Sequence, residues 1–342
     1  MSKRVLNTLF VSTDKTRLAK DGAAIGVWVD REKRHKIPMH GLSSIVCFGG
    51  CYVTPSLMHT LLEAGIHVAY CTTSGKFLGR VEGLPSGNIL LRKAQFRCSE
   101  SPAMSLEMAR SFVIGKLAGT RRFLIRSARE NRQANVSRRL VECADQLSGC
   151  LRTANSADSM DALRGAEGSG ARLYFEQWPL LLRTKNFAWN GRNRRPPKDP
   201  LNALLSFGYT LLQSDCIAAL ASVGLDPAVG FLHQDRPGRL SLALDLMEEF
   251  RIPVVDRLVL ALVNTGQFRS KDFDTQGSGA VLMSDDARKK FLTKYQEQKQ
   301  KELQHQFLDQ ASTWGMMPFL QALLLARTLR SDLECYPPLE IR

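Results

Sequence analysis

The stretch SPAMSLEMARSFVIGKLAGTRRFLIRSARENRQ, residues 101–133, decides the fold of most of the chain. Its apolar residues recur at spacings of three and four, which predicts a long amphipathic helix. Ser101 is placed to cap this helix, and Pro102 suits its first turn. The same periodicity predicts further helices over residues 136–151, 160–182, 201–222, 241–250, 256–262, 285–309 and 317–329. Residues 93–342 are therefore expected to form a large all-α domain.

The first 92 residues show a shorter, β-type pattern. β-prone runs over residues 5–11, 23–29, 45–48, 66–70 and 77–81 are separated by turn signals, of which Ser74-Gly75 is one. A single helix interrupts them, with Thr54 as its cap and Gly65 at its end. The predicted fold class is thus α+β, with a small N-terminal β-rich domain, residues 1–92, followed by a larger all-α domain, residues 93–342.

Composition excludes several classes of protein. The 342 residues include 47 Lys and Arg against 33 Asp and Glu, a formal charge of +14, and 44% are hydrophobic. This balance is typical of globular proteins rather than of disordered or fibrous chains. Apolar runs fall short of the roughly 18 to 20 residues that a membrane span needs, and the N-terminus turns polar too early for a secretory signal. We therefore expect a soluble, cytoplasmic protein with no membrane association.

Positive charge is concentrated in three clusters. Residues 121–139 contain seven arginines and only one acid. On a helix, Arg122, Arg126, Arg129 and Arg132 would share one broad face. Two further clusters follow in the later parts of the chain. For any one cluster a solvated helix face is the simpler interpretation, but three clusters rich in Arg favour nucleic acid, because guanidinium groups pair with phosphate oxygens. We call Arg122, Arg126 and Arg129 the basic stripe and predict that it binds double-stranded DNA.

Three stretches of the helical region contain candidate catalytic residues. They are LRGAEGSGARLYF, residues 163–175, with Glu167; VGFLH, residues 229–233, with His233; and LDLMEEFR, residues 244–251, with Asp245 and Glu248. Asp245 and Glu248 are three residues apart and therefore share one face of a helix. Together the stretches supply one imidazole and two or three carboxylates. This set suits Mg²⁺ or Mn²⁺, and a metal held in this way can polarise a phosphoryl oxygen, as in many nucleases.

Each of these residues also has a purely structural interpretation. Glu167 could be a polar residue near a helix start, and His233 a buried imidazole with its hydrogen bonds satisfied. Asp245 and Glu248 could be salt-bridge partners. The candidate arginines are Arg236, Arg239 and Arg251. Spacing alone does not decide between the structural and the metal-binding interpretations.

Four motifs follow one another in a characteristic order. They are Ala166-Glu167-Gly168 with Tyr174 downstream, DPLNALLSFGY at 199–209, GFLH at 230–233, and LALDLMEEFR at 242–251 followed by Asp256. This series resembles the CRISPR adaptation integrases, the DNA-integrating endonucleases that insert new spacers. The resemblance covers nearly the whole chain, and the length and ending favour the type I-C branch. It implies an N-terminal β domain followed by an all-α catalytic domain.

The resemblance also implies the roles of individual residues. Glu167, His233 and Glu248 correspond to the catalytic metal ligands of the family, which would hold Mg²⁺ or Mn²⁺, and Asp245 corresponds to a neighbouring acid. Clustered carboxylates repel one another when no cation is bound. Removal of a ligand is therefore expected to leave the metal-free fold as stable as before, or slightly more stable.

The implied activity is that of a metal-dependent DNA endonuclease and integrase. In this reaction the 3′ hydroxyl of an incoming DNA fragment attacks a phosphodiester of the CRISPR array. The implied assembly is a symmetric homodimer that works with the small ferredoxin-like second protein of CRISPR adaptation. Two alternatives stay open: a non-catalytic DNA-binding scaffold of the same fold, and a general junction-cutting repair nuclease. The roles of Tyr174 and Asn202, which match motif positions, also stay open.

Overall fold

The computed structural model describes residues 7–13, 15–73, 77–81, 83, 89–184 and 186–341. The chain divides into two units. The first comprises Met1–Ser86 and Met283–Gln296, and the second comprises Gly87–Leu282 and Glu297–Arg342. The first unit is therefore assembled from two separate parts of the chain. The division at residue 92 into an N-terminal and a C-terminal domain stays a prediction.

Two four-stranded sheets make up most of the first unit. The strands are β1 (Asn7–Val11), β2 (Arg17–Asp21), β3 (Ala24–Val29), β4 (Glu32–Pro38), β5 (Leu42–Phe48), β6 (Tyr52–Val53), β7 (His67–Cys71) and β8 (Phe77–Val81). One sheet has the order β1-β5-β7-β8, with β1, β5 and β7 parallel. The other has the order β4-β3-β2-β6, in which β6 is parallel to β2. Apolar residues from both sheets, such as Leu18, Ile25 and Ile45, share one buried core.

The predicted β-prone runs coincide with β1, β3, β5, β7 and β8. Residues 5 and 6 of the first run and the Ser74-Gly75 turn lie outside the described residues. Helix α1 (Pro55–Glu63) begins as predicted, because the Thr54 side chain accepts a hydrogen bond from Leu57 N at 3.4 Å. Strands β2, β4 and β6 were not predicted. β4 is exposed along nearly all its length, so its sequence lacks the apolar alternation of a half-buried strand.

Helices dominate the rest of the chain. They are α2 (Ile89–Glu100), α3 (Pro102–Arg129), α4 (Ala134–Ser156), α5 (Met160–Glu176), α6 (Trp178–Leu181), α7 (Pro200–Ser222), α8 (Ser241–Met247), α9 (Arg257–Asn264), α10 (Asp285–Gln300) and α11 (Met317–Leu329). α3 begins as predicted, with the Ser101 side chain accepting a hydrogen bond from Met104 N at 3.4 Å. The predicted α+β fold class, a β-rich N-terminal region followed by a helical region, is confirmed.

Helix α7 lies in the core of the second unit. Leu204, Leu205 and Cys216 are among its completely buried residues. Across the described parts of the chain, it is the one helix that is long and apolar enough to cross a membrane by length and composition, and 61% of its apolar window is buried inside the protein. Core helices of soluble proteins pass the same test of length and composition.

Two short hairpins correct the prediction of an all-α region. β9 (Phe273–Thr275) pairs with β10 (Val281–Met283), and β11 (Glu302–His305) pairs with β12 (Gln310–Thr313). The helix predicted over residues 285–309 therefore ends at Gln300. In β11 the side chains alternate between exposed and more buried positions, the period of a strand. The many polar residues of this segment hide that alternation in the sequence.

The helices predicted over residues 160–182 and 241–250 are also interrupted. The first is divided into α5 and α6, with Pro179 in the first turn of α6. In the second, α8 ends at Met247, and a π-helix follows at Arg251–Asp256. π-helical turns are frequent at functional sites. Glu248 consequently lies at a junction between two helical segments.

Candidate active site

Three elements bring Glu167, His233 and Glu248 together. Glu167 lies on α5, His233 lies in the loop between α7 and α8, and Glu248 directly follows α8. The Lys116 ammonium group contacts both glutamates, and His233 Nε2 lies 4.0 Å from Glu248 Oε1. Residues distant in sequence thus form one group, which we call the Glu-His cluster (Glu167, His233 and Glu248).

Side chains from α2 and α5 hold the loop that precedes α8. Gln95 of α2 donates from Nε2 to the carbonyl oxygens of Asp226 at 2.8 Å and Val229 at 2.9 Å. Arg164 of α5 donates from Nε and a terminal nitrogen to Leu232 O, at 3.1 and 2.7 Å. The Arg164 hydrogen bonds connect the loop to α5, the helix that carries Glu167, and the Gln95 hydrogen bonds connect it to α2.

Asp245 is completely buried and accepts four hydrogen bonds from residues 231–233 of the loop between α7 and α8, which we call the histidine loop. Its Oδ2 accepts from the backbone N of Phe231 at 2.6 Å and of Leu232 at 3.1 Å. Its Oδ1 accepts from the backbone N of His233 at 3.0 Å and faces ring Nδ1 at 2.6 Å. Gly230 permits this close approach, because a Cβ there would lie 2.9 Å from Asp245 Oδ2. Asp245 therefore holds the loop in place and contacts the Nδ1 side of the His233 ring, the side away from Nε2.

The contact with Asp245 fixes the orientation of the His233 ring. Since a carboxylate oxygen only accepts, we assign the Nδ1 proton to this hydrogen bond, which leaves a lone pair on Nε2. The ring is 21% exposed, and its Nε2 is the nitrogen nearer to Glu248. A histidine that donates from one nitrogen to a carboxylate and offers the other to a metal is common in metal sites.

Glu248 lies between two buried cations. Lys116 Nζ is 2.7 Å from Glu248 Oε2 without hydrogen-bond geometry, and Arg251 is 3.0 Å from Oε1. Burial raises the pKa of the Glu248 carboxyl, but Arg251, Lys116 and His233 outweigh burial and hold the pKa at about 2. Arg251 is one of the ion-pair partners considered from the sequence. Glu248 is therefore ionised at neutral pH, the form in which a carboxylate binds a metal.

Lys116 also donates a hydrogen bond to Glu167 Oε1. Its side chain is only 12% exposed. Burial lowers the pKa of the ammonium group, but Glu248 and Glu167 outweigh burial and raise the pKa above its usual value. The two glutamates of the cluster thus share one buried cation from α3.

A further buried carboxylate, Asp256, is linked to the cluster through Tyr209 and Arg251. Tyr174 OH donates to its Oδ2 at 2.9 Å, and Tyr209 OH donates to its Oδ1 at 2.6 Å. Burial raises the pKa of Asp256 to about 6 in spite of these hydrogen bonds. The Arg251 guanidinium lies 4.9 Å from the centre of the Tyr209 ring, in a cation–π contact. Arg251 therefore joins this group to Glu248.

The two motif residues whose roles the sequence left open make hydrogen bonds inside the protein. Tyr174 binds the buried carboxylate described above, and its side chain is itself buried. Asn202 is completely buried and holds the loop before α7: its Nδ2 donates to Gly191 O at 2.9 Å, and its Oδ1 accepts from Arg192 at 2.6 Å and from Asn193 N at 3.1 Å. Both side chains thus act as hydrogen-bonding partners inside the protein, Tyr174 for Asp256 and Asn202 for the loop before α7.

Glu249, although adjacent to Glu248, faces a different set of partners. Tyr336 OH donates to its Oε1 at 2.6 Å, and Gln321 Nε2 and Leu339 N donate to its Oε2 at 2.8 and 2.6 Å. Burial raises the pKa of Glu249 to about 7 in spite of these three donors. Its oxygens are therefore engaged away from the cluster, and Glu248 is the acid of this pair that faces His233.

The donor chemistry of the Glu-His cluster fits a hard divalent cation. Glu167 and Glu248 offer carboxylate oxygens, His233 offers Nε2, and Glu248 Oε2 is buried without a hydrogen bond. Within the described ranges, no three His, Cys, Asp or Glu side chains converge into a preformed metal-binding group. The two glutamates contact the Lys116 ammonium instead. The residue types therefore fit the cation, while the side chains are arranged around a lysine.

A family model described as CRISPR associated protein Cas1 matches residues 9–297 of the chain. The chain belongs to the Cas1 family. Among its relatives, CRISPR-associated endonuclease Cas1 2 of Rhodospirillum rubrum is 47% identical in an alignment of 342 positions that covers 98% of this chain and 98% of that protein. The resemblance stated from the four motifs is thereby confirmed, and assignment to the type I-C branch stays a prediction.

Two solved structures extend the similarity to the Cas1 fold. A casposase bound to integration product has a TM-score of 0.84 and 25% identity, covering 98% of this chain and 95% of that one. A chain of a Cas6-RT-Cas1–Cas2 complex has a TM-score of 0.83 and 26% identity, covering 99% of this chain and 36% of that one. The fold and the family are therefore those of a Cas1 endonuclease and integrase.

The basic stripe of this Cas1-family chain lies on α3. Arg122 forms an ion pair with Glu340 at 3.5 Å, and Arg126 forms one with Glu130 at 2.8 Å. Arg129 is exposed at the last position of the helix. Arg132 lies beyond the end of α3, so the prediction that it shares the helical face with the other three is wrong. DNA binding by the stripe stays a prediction.

Sequence patterns did not single out Lys116 or Arg164 as residues of the site. Lys116 is the lone cation in the apolar run SFVIGKLAG, residues 111–119, and that isolation is the signal that would have drawn attention to it. Arg164 precedes Glu167 by one helical turn, but its partner is the backbone oxygen of Leu232. Because every residue has a backbone oxygen, the sequence does not indicate such a partner. In the Cas1-family chain both residues position parts of the cluster.

Proposed function

We propose that this protein is a divalent-metal-dependent DNA endonuclease and integrase that inserts DNA fragments as new spacers into a CRISPR array. The observation that carries the proposal is the convergence of Glu167, His233 and Glu248 from three elements onto one cluster. Membership of the Cas1 family and the similarity to a casposase bound to integration product support it. The 3′ hydroxyl of the incoming fragment is the proposed nucleophile.

Glu167, His233 and Glu248 are the proposed ligands and catalytic residues, and Mg²⁺ or Mn²⁺ is the proposed cation. When bound there, the cation would polarise a phosphoryl oxygen and offset the charge on the attacking and leaving oxygens. Glu248 is available as a ligand because its neighbours hold it ionised. Asp245 is proposed as a positioning residue, since it holds the His233 ring with Nε2 turned toward Glu248.

Double-stranded DNA is the proposed substrate, and the basic stripe is proposed to contact its phosphates. The chain is also proposed to act as a homodimer with a small ferredoxin-like second adaptation protein. The solved complex that contains Cas1 and Cas2 supports this choice of partner. Two active sites at a fixed separation are needed to insert both ends of one fragment, which is the physical reason for a dimer. We propose that the activity is cytoplasmic.

The test is an integration assay with the purified protein, Mn²⁺, its partner protein, an end-labelled DNA duplex and a plasmid that carries a CRISPR array. The label is expected to become covalently joined to the array, and Glu167→Gln is expected to abolish this transfer. Glu176→Gln, an exposed glutamate on the same helix, is the matched control and should retain it. DNA binding without any transfer or cleavage would favour the scaffold alternative. Cleavage of branched DNA without insertion would favour the repair nuclease.

A further inference from the structure

Lys116 is a buried cation that depends on the Glu-His cluster for its counter-charges. It lies on α3 between the buried residues Val113 and Leu117, and its side chain is 12% exposed. A buried ammonium group is unfavourable unless nearby anions compensate its charge. Here the compensation comes from a hydrogen bond to Glu167 and a 2.7 Å contact with Glu248 Oε2. The lysine therefore uses the same two anions that a divalent cation would need.

Charge balance opposes the binding of both cations to one pair of glutamates. Glu167 and Glu248 are matched by Lys116 and Arg251, so these four side chains carry no net charge. A divalent cation added while the ammonium group stayed in place would leave two excess positive charges in a largely buried cluster. Repulsion at such short range is strong where solvent screening is weak.

We propose that Lys116 is an internal counter-ion that competes with the divalent cation for Glu167 and Glu248. The lysine stabilises the metal-free protein and lowers the affinity of the site for the cation. This role rests on the metal site proposed above. It makes Lys116 a residue that determines the affinity of the site for the divalent cation. The cation gains the two glutamates only as the ammonium group leaves them.

Calorimetric titration of Mn²⁺ into three variants and the wild type tests the competition. Lys116→Met keeps the length of the side chain and removes its charge, so the Kd for Mn²⁺ should fall about tenfold or more. Lys116→Arg keeps the charge, and its Kd should be no lower than that of the wild type. Lys299→Met is the matched control, because Lys299 is 5% exposed and contacts Asp215 at 2.7 Å. Its Kd for Mn²⁺ should equal that of the wild type.

The outcomes separate the role of Lys116 from the existence of the metal site. Measurable Mn²⁺ binding by the wild type, with equal or weaker binding by Lys116→Met, overturns the role of Lys116 alone. Absence of Mn²⁺ binding by both the wild type and Lys116→Met overturns the proposed metal site itself.

Thermal melting provides a second readout that does not depend on activity. Without metal, Lys116→Met should have a lower Tm than the wild type. Saturating Mg²⁺ should raise the Tm of Lys116→Met by more than it raises the Tm of the wild type. If Lys116→Met shows no melting transition without metal, recovery of the transition in Mg²⁺ supports the proposal. Failure to recover the transition in Mg²⁺ contradicts it.

Discussion

Asp245 binds His233 twice through a single oxygen: its Oδ1 lies 3.0 Å from the backbone N of His233 and 2.6 Å from ring Nδ1. The main chain and the imidazole of one residue are thereby fixed by the same carboxylate. The ring cannot rotate without breaking its hydrogen bond to a buried anion, which is stronger than a bond between neutral groups. The position of His233 Nε2 therefore depends on Asp245.

Replacement of Asp245 by Asn should weaken both the fold and the metal site. An amide offers one accepting oxygen, so at least one buried N–H of the histidine loop loses its acceptor, at roughly 1–3 kcal/mol of unfolding free energy. Metal affinity should fall roughly 10–100-fold, as when other supporting partners of metal ligands are removed. Partial integration activity should remain. Urea unfolding and Mn²⁺ calorimetry measure the two effects, and wild-type values in both would contradict the anchoring role.

Replacement of Glu248 by Gln should abolish activity and also destabilise the metal-free protein. From the sequence we expected equal or greater stability, because only repulsion between acids was considered. The structure shows Lys116 and Arg251 on either side of this carboxylate, so its neutralisation leaves buried cations uncompensated. Breaking a buried pair in this way costs roughly 3–5 kcal/mol. Urea unfolding without metal measures the loss.

A double variant provides the control for this prediction. Addition of Lys116→Met to Glu248→Gln should recover part of the lost stability, because it removes the positive charge that Glu248→Gln leaves in excess. Strictly additive losses in unfolding free energy would show that the two side chains do not interact.

Replacement of Gly230 by Ala should displace the histidine loop. A Cβ at this position would lie 2.7 Å from Ser241 Cβ and 2.9 Å from Asp245 Oδ2, closer than such atoms pack. The expected loss is roughly 1–3 kcal/mol of unfolding free energy, as for other overpacked sites. Gly165→Ala is the control, since a Cβ there meets nothing within 4 Å and the residue lies in α5. That change should stabilise the protein by roughly 0.5–1 kcal/mol.

Replacement of Asp256 by Asn should change how stability depends on pH. The pKa of Asp256 is about 6 in the folded protein against 3.8 for an ordinary Asp, so the folded state binds more protons between these values. Its contribution to stability is therefore complete below pH 3.8 and is lost as the pH rises through about 6. At roughly 1.4 kcal/mol per pKa unit, the loss is on the order of 3 kcal/mol.

Urea unfolding at a series of pH values from about 4 to 7 measures this dependence. The wild type should lose stability relative to Asp256→Asn as the pH rises. Asp158→Asn changes an exposed carboxylate and should follow the wild type. Parallel curves for the wild type and Asp256→Asn would show that the buried carboxyl does not titrate in this range.

Reversal of the basic stripe should weaken DNA binding without unfolding the chain. If the protein neutralises about five phosphates, the slope of log affinity against log salt should be about −4 to −5. Changing Arg122, Arg126 and Arg129 to Glu should make this slope smaller in magnitude by about 3. Arg129→Glu should have the largest single effect, because Arg122 and Arg126 already form ion pairs. Unchanged affinity in the triple variant would make the stripe a solvated helix face.

The helices of this fold were predictable where apolar periodicity and caps agree, as at Thr54 and Ser101, which cap α1 and α3. Strand β4 and the β11–β12 hairpin were not predictable. Their residues are mostly polar, and pairing with neighbouring strands rather than apolar alternation determines their conformation. The return of residues 283–296 to the first unit is likewise a long-range contact that no local pattern encodes.

The acids of the site were predictable because the motif series names them, but their environment was not. Lys116 reaches Glu167 and Glu248 from a helix that precedes both in the sequence. No spacing rule connects residues so far apart. Asp245 and Glu248 share a helical face in the sequence, yet one accepts backbone hydrogen bonds behind His233 and the other faces the cluster. Their spacing does not distinguish them; the motif series assigns them different roles, and the packing of the loop against α8 gives the physical difference.

The two-part composition of the first unit limits how the protein can be cut into pieces. Tyr295 is completely buried, its ring lies 6.4 Å from that of Phe10, and Gln296 donates to Thr8 O at 2.8 Å. A fragment that ends at residue 86 lacks residues 283–296. A fragment that begins at residue 87 contains residues 283–296 but leaves their apolar side chains without the strands that cover them. Proteolysis at this single point should therefore leave two pieces that stay associated. An isolated N-terminal fragment should need residues 283–296 joined to it, or supplied as a peptide, before it becomes soluble.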